Sequence, residues 1–135
     1  MYLVDTSVWV SYLRQGPAGP LAELEVLLDN PLACGLSDQI LMEILQGAKD
    51  ERAFRKLSRY FSGQRIYRFN DPTHSHMEAA RLYLRCRRGG VTVRSAMDCL
   101  IAQCALEHNL MLLHTDRDFE HISRVVPAFR QRSLA

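Results

Sequence analysis

Five acids stand where an acid is costly or conspicuous. Asp5 closes the short apolar run YLV and is followed by two hydroxyl residues, Thr6 and Ser7. Glu43 interrupts ILMEIL, a helical pattern that leaves it almost no polar face, and a lone carboxylate in such a place is costly unless it is paired or holds a cation. Asp98 lies three residues after Ser95, and Asp116 and Asp118 follow the apolar run LMLL. Each acid also has an ordinary structural explanation. Asp, Thr or Ser at the start of a helix satisfies its free N–H groups. Ser95 and Asp98 have the spacing of a capping box, with Asp in place of the usual Glu or Gln. Asp118 can cap a helix begun by Phe119, and Glu43 can reach solvent or an Arg. Caps do not explain why such acids would gather. Carboxylates brought to one edge of a sheet repel and hold their protons above the usual range unless a divalent cation neutralises them. Hard oxygen ligands point to magnesium or manganese rather than zinc. Such an assembly activates water and stabilises the charge that builds up when a phosphodiester is cut. On that reading Asp5 serves as a ligand, and Thr6 and Ser7 are left to cap the first helix.

The acids need elements that deliver them to one place. Tyr2 to Val4 reads as a buried strand, and Val8, Trp9, Tyr12 and Leu13 change to helical spacing, so Asp5 falls at a strand-to-helix junction. GPAGP marks a loop, LAELEVLLD an amphipathic helix, and PLACGL a second strand. Ser37 caps a helix over SDQILMEILQGA that carries Glu43, and DERAFRKLSRYF supplies another. QRIYRF is a short strand, and Asp71-Pro72 opens a long helix that runs to the Gly89-Gly90 stop. Ser95 begins the helix of Asp98. Leu110 to Leu113 is a strand that delivers Asp116 and Asp118 just past its end, and Val125-Val126 reads as a last short strand. Strands separated by helices imply a parallel sheet with helices on both faces. In such α/β sheets, ligands bind in the crevice beyond the carboxyl ends of the strands.

With 135 residues, 47% of them hydrophobic, the chain fits one domain with a sizeable core. No apolar run approaches the roughly 20 residues that span a bilayer, and neither end reads as a targeting segment, so a cytoplasmic protein with no membrane attachment is expected. Cys34, Cys86, Cys99 and Cys104 form no CxxC pair and are expected as buried, reduced thiols. Cys99 and Cys104 with His108 or His114 match no common zinc spacing. The net charge of +2 decides nothing about a polyanionic partner, but 15 of the 17 basic residues are Arg, whose planar donor fork suits phosphate.

The motifs VDTSVW, MEILQGA, TVRSAMDCLIA and LLHTDRDF, in this order over nearly the whole length, closely resemble the PIN domain, and within it the VapC-type ribonuclease toxins of bacterial toxin-antitoxin pairs. The resemblance implies a single PIN domain over residues 1–135, a three-layer α/β/α sandwich around a short parallel sheet. It implies a magnesium-dependent endoribonuclease, with manganese as a possible substitute, that cuts structured RNA such as tRNA or rRNA and so arrests translation and growth. A cognate VapB-type antitoxin blocks such a site, and a homodimer within a hetero-oligomeric complex is expected. Matched position by position, the catalytic acids become Asp5, Glu43, Asp98 and Asp116. Asp5 and Asp98 are the expected direct metal ligands, with Asp116 and Asp118 as further ones, and Thr115 matches a recurring hydroxyl beside the fourth acid. His114 receives no role. Arg94, Arg87 and Arg88 are candidates for contacts to the RNA backbone. The alternatives are a housekeeping PIN-domain RNA-processing nuclease and a non-catalytic module that only binds RNA or a partner. Phosphoryl transfer through an aspartyl intermediate is disfavoured, because DTSVW lacks the second Asp two places on that such enzymes carry.

Overall fold

In the computed structural model, which describes every residue except 17, 18, 20, 21 and 31, five parallel strands form one sheet in the order β3-β2-β1-β4-β5. The strands are β1 (Tyr2–Val4), β2 (Cys34–Ser37), β3 (Arg65–Tyr67), β4 (Met111–His114) and β5 (Gln131–Ser133). The helices are α1 (Thr6–Gln15), α2 (Ala22–Leu28), α3 (Asp38–Gln46), α4 (Glu51–Ser62), α5 (Pro72–Arg88), α6 (Ala96–Glu107) and α7 (Arg117–Val125). From β1 the chain steps outward through β2 to β3, then returns past β1 to β4 and β5. Right-handed crossovers in these two opposite directions place α1 to α4 on one face and α5 to α7 on the other, and most helix packing follows that division, α1 and α4 on α3, α5 on α6 and α7, while α3 also touches α6. The expected α/β/α sandwich is therefore present. The core is built from Leu3, Val4, Leu36, Leu112 and Leu113 of the strands, with Trp9, Ile40 and Phe61 on one side and Ile101, Phe119 and Ile122 on the other, all essentially without solvent exposure. Trp9 and Phe61 meet edge to face at 5.0 Å between ring centroids, the arrangement that aromatic quadrupoles prefer. All four cysteines are free and buried.

Several expectations shift. GPAGP lies largely outside the described residues, as do Leu21 and Pro31 of the next two expected elements. Val125-Val126 is no strand: the two residues end α7, whose apolar spacing Phe119, Ile122, Val126 is helical. The fifth strand is instead Gln131–Ser133, an edge strand paired with β4 through Leu112, Leu113 and His114. An edge strand is covered on fewer sides and needs no apolar run, so QRS carries no hydrophobic signal. α7 begins at Arg117 with Asp116 as its cap, not at Phe119 with Asp118.

Candidate active site

The strand order reverses between β1 and β4, and the crevice beyond the carboxyl ends of those two strands is the topological switch point of the sheet. Asp5 leaves β1 there and the turn His114-Thr115-Asp116 leaves β4. Asp5 is buried, 5% exposed, and it caps α1 itself: its Oδ2 accepts the Ser7 N–H at 3.0 Å and the Ser7 hydroxyl at 2.6 Å. The expectation that Thr6 and Ser7 would do the capping is thus corrected. The extended backbone of Asp5 puts its carboxylate over the first-turn amides, so the residue satisfies the helix start while facing the strand-end crevice. The Ser7 hydroxyl in turn accepts the Thr115 N–H at 3.0 Å, tying the two strand ends together. Thr6 turns the other way and donates its hydroxyl to Glu43 at 3.2 Å. α3 proves less buried than its sequence suggests, with Met42 half exposed, and Glu43 is half-buried beside α1.

Asp98, Asp116 and Asp118 each bring a carboxylate oxygen within 4.8 Å of the others. Asp98 enters from the first turn of α6, where Ser95 caps through the Met97 N–H at 3.2 Å. No reciprocal bond from the Asp98 carboxylate to Ser95 closes a capping box among the described residues, and the carboxylate faces the other acids instead. Asp116 Oδ1 accepts the Asp118 N–H at 3.0 Å. Asp118, nearly buried, holds residue 94 twice, accepting from the Arg94 N–H and from its Nε, both at 3.2 Å. The Arg94 Nη2 reaches Asp116 at 3.3 Å. Arg94, expected to face phosphate, is therefore the counter-ion of two of the acids, because two carboxylates this close offer a guanidinium more than solvent does. Arg87 and Arg88 end α5 in exposed positions and make no ion pair among the described residues. Thr115 contributes its backbone N–H to the Ser7 bridge.

The electrostatics follow from this crowding. Burial, then the charges of Asp116, Asp5, Asp118 and Glu43, push Asp98 up to about 7. Burial raises Asp5 against the lowering effect of its bonds to Ser7, and burial with the nearby Asp5 raises Glu43. The bond to Asp118 holds Arg94 more firmly protonated. Asp5 and Glu43 both act on Asp98, so Asp5, Glu43, Asp98, Asp116 and Asp118 form one field, with Asp98 at its centre. Asp98, Asp116 and Asp118 form one group of carboxylates that could hold an ion, and Asp5, expected beside Asp98 as a ligand, lies near enough for its charge to act on Asp98. Every donor in the cluster is a carboxylate oxygen, and a guanidinium already sits against two of them, so the set fits a hard divalent cation. The hydroxyls of Thr6 and Ser7, which the sequence offers only as caps, instead order the acids. Their adjacency to a strand-end acid was the available signal.

The PIN domain family model matches residues 2–125. The chain belongs to the PIN domain family. PIN-domain relatives that it resembles include Ribonuclease VapC11 of Mycobacterium tuberculosis and a VapC ribonuclease of Mycobacterium bovis, each 38% identical over 128 residues and covering 93% of both chains. Among solved structures, the PIN fold is shared with VapBC2 from Rickettsia felis bound to a promoter DNA fragment, at a TM-score of 0.75 and 22% identity over 98% of this chain and 97% of that one. It is shared also with DNA-bound VapBC from Salmonella typhimurium, at a TM-score of 0.76 and 19% identity over 99% and 98%.

Proposed function

We propose that this PIN domain, over the whole chain, is a metal-dependent endoribonuclease acting as the toxic component of a toxin-antitoxin pair. The observation that carries the reading is the convergence of five carboxylates on the switch point, with Asp98 pushed up to about 7 by its neighbours. The names of the VapC ribonucleases at 38% identity support the substrate class. Asp98, Asp116 and Asp118, with Asp5, would hold magnesium, or manganese in its place. Such a cation supplies the positive charge that polarises a phosphodiester and acidifies an attacking water. The residues of the chain do the rest. Glu43, its carboxyl held above its usual range by burial and by Asp5 and steadied by Thr6, orients the water and, as the carboxylate, takes up its proton. Arg94, released from the carboxylates, grips the phosphate backbone, and Arg87 and Arg88 extend that contact. Water rather than the ribose 2′-hydroxyl is the nucleophile, so the products carry 5′-phosphate and 3′-hydroxyl ends. A pocket of about 400 Å³ lined by His76, Tyr83, Leu100 and Arg94 opens beside the cluster. It suits a base splayed from a single-stranded loop, as structured tRNA or rRNA offers.

The antitoxin, of VapB type, would bind where α1 and α4 present exposed apolar side chains, and the active form would be a homodimer within the hetero-oligomer. Among the described residues no helix is long and apolar enough to cross a membrane, and action in the cytoplasm, where its RNA lies, completes the proposal. The test is cleavage of end-labelled tRNA and rRNA fragments by the purified protein. Magnesium should support cutting, chelation should abolish it, and Asp98→Asn should lower the rate about a hundredfold or more, as loss of a group that stabilises transition-state charge does. Undiminished cutting in chelator, or by the Asn variant, would overturn the reading.

A further inference from the structure

His114 ends β4 with no exposure to solvent, and no step above uses it. Its two ring nitrogens have different partners. The backbone N–H of Asp116 can only donate, and it does so to His114 Nδ1 at 3.1 Å. The ring proton therefore sits on Nε2, which donates to Gln131 Oε1 on the adjacent edge strand at 2.6 Å. That assignment fixes the Gln131 amide, whose Nε2 donates to Ser123 Oγ at 3.3 Å. The Ser123 hydroxyl donates to the Glu120 carbonyl at 2.8 Å. The ring also lies against Phe119, 5.2 Å between centroids, so it cannot turn over without disturbing α7. Every donor in this chain has one acceptor, and the series ends on the backbone of the very helix that Asp116 caps.

We propose that His114 is a positioning residue for Asp116: its Nδ1 lone pair holds the turn that aims the Asp116 carboxylate into the acid cluster, and Gln131 with Ser123 holds the imidazole in the tautomer that leaves this lone pair free. A hydrogen-bond network of this kind, partly buried and built on a fully buried ring, specifies one geometry, and a carboxylate misplaced by about 1 Å loses much of its value to a site. The inference rests on the functional reading of Asp116 given above. Its test is chosen to separate the two.

Three substitutions divide the ring's contacts. In His114→Asn the side-chain oxygen takes the place of Nδ1 and can accept from Asp116, but nothing reaches Gln131. In His114→Gln the terminal amide takes the place of Nε2 and keeps Gln131, but nothing accepts from Asp116. His114→Leu keeps neither. The first readout is hydrogen exchange of the Asp116 amide in metal-free protein, and the second is manganese affinity by calorimetry. Asn should keep the amide protected and the affinity within about threefold of wild type, while Gln and Leu lose protection and about tenfold or more in affinity. A purely structural histidine would instead order all three variants by melting temperature. Equal affinity in Gln and Asn, or an unprotected Asp116 amide in the wild type, overturns the positioning role. Manganese affinity without RNA cleavage by the wild type would overturn the nuclease reading and leave the positioning role standing.

Discussion

Asp98 is where local structure and chemistry make opposite demands. It lies in the first turn of α6, where a negative charge favours the helix dipole, yet burial and four neighbouring carboxylates raise it to about 7. In the unfolded chain the same carboxyl titrates near 3.8. Between these values the folded state holds a proton that the unfolded state has released, so without a cation this residue's contribution to stability falls as pH rises through the window, and the penalty is complete above about 7. Asp5 and Glu43, also raised, act in the same direction. Asp98→Asn removes the titration and keeps the shape. In chelator the variant should therefore melt close to wild type at pH 4 and be more stable at pH 8, by about 2 kcal/mol once solvent screening is allowed for. Saturating manganese should erase or reverse the gap, because the cation stabilises only the protein that can bind it. Thermal melts at the two pH values, with and without manganese, make the comparison, and a gap that is constant with pH would refute the account.

Elements were legible in the sequence where a strong local signal met burial on the expected side. Asp71-Pro72 opens α5 as its chemistry requires, with the Asp71 carboxylate accepting the His74 N–H, and Ser37 caps α3. β1 and β4 announced themselves as apolar runs because they lie inside the sheet. β5 did not, because an edge strand can be polar, and the helical spacing of Phe119, Ile122 and Val126 hid behind a β-branched pair. The site divides similarly. The acids were legible because acids at strand ends are conspicuous. The pairing of Arg94 with Asp116 and Asp118, the Ser7 bridge and the His114 network were not, because they join residues far apart in sequence or run through backbone groups. One more element-scale demand is visible only in three dimensions. Gly35 lies in β2, and a Cβ there would stand 2.6 Å from the Arg65 carbonyl oxygen and 2.8 Å from the Tyr67 ring. The backbone contact cannot yield without opening the β2-β3 ladder, so Gly35→Ala should destabilise the fold by about 1–3 kcal/mol. Chemical denaturation reads this directly, and a neutral result would mean that β3 can shift away at little cost.

At the scale of the whole molecule, both faces of the sandwich leave large apolar side chains exposed, Val10, Leu13 and Tyr60 on one and Met77, Tyr83 and Leu84 on the other, and the first group borders the acid cluster through Glu43. On the side of α1, α3 and α4, a groove of about 270 Å³ lined by Trp9, Val10, Leu13, Glu43, Ile44 and Leu57 adjoins another of about 380 Å³ that shares Leu13 and Leu57 and adds Ala53, Lys56 and Tyr60. Leu13 is 51% exposed and Tyr60 47%, large side chains that a surface with no partner rarely clusters. Because Glu43 lines one end, the groove leads from an apolar floor to the acid cluster, where Arg94 already demonstrates the fit of a guanidinium. The proposed antitoxin would lay an amphipathic helix along the apolar part and send a cation into the acidic part, two contributions that can be removed separately. Leu13→Glu tests the first. Its side chain is exposed and outside the acid cluster, so folding and magnesium-dependent RNA cleavage should persist. A charge placed in the middle of the apolar floor should weaken antitoxin binding about thirtyfold or more, which corresponds to roughly 2 kcal/mol at a buried anchor. An antitoxin whose cluster-entering Arg is changed to Ala tests the second, and should remain bound while cleavage returns. If Leu13→Glu binds antitoxin as tightly as wild type, the groove is not the docking surface. If the Ala antitoxin still inhibits fully, inhibition does not act through the acids.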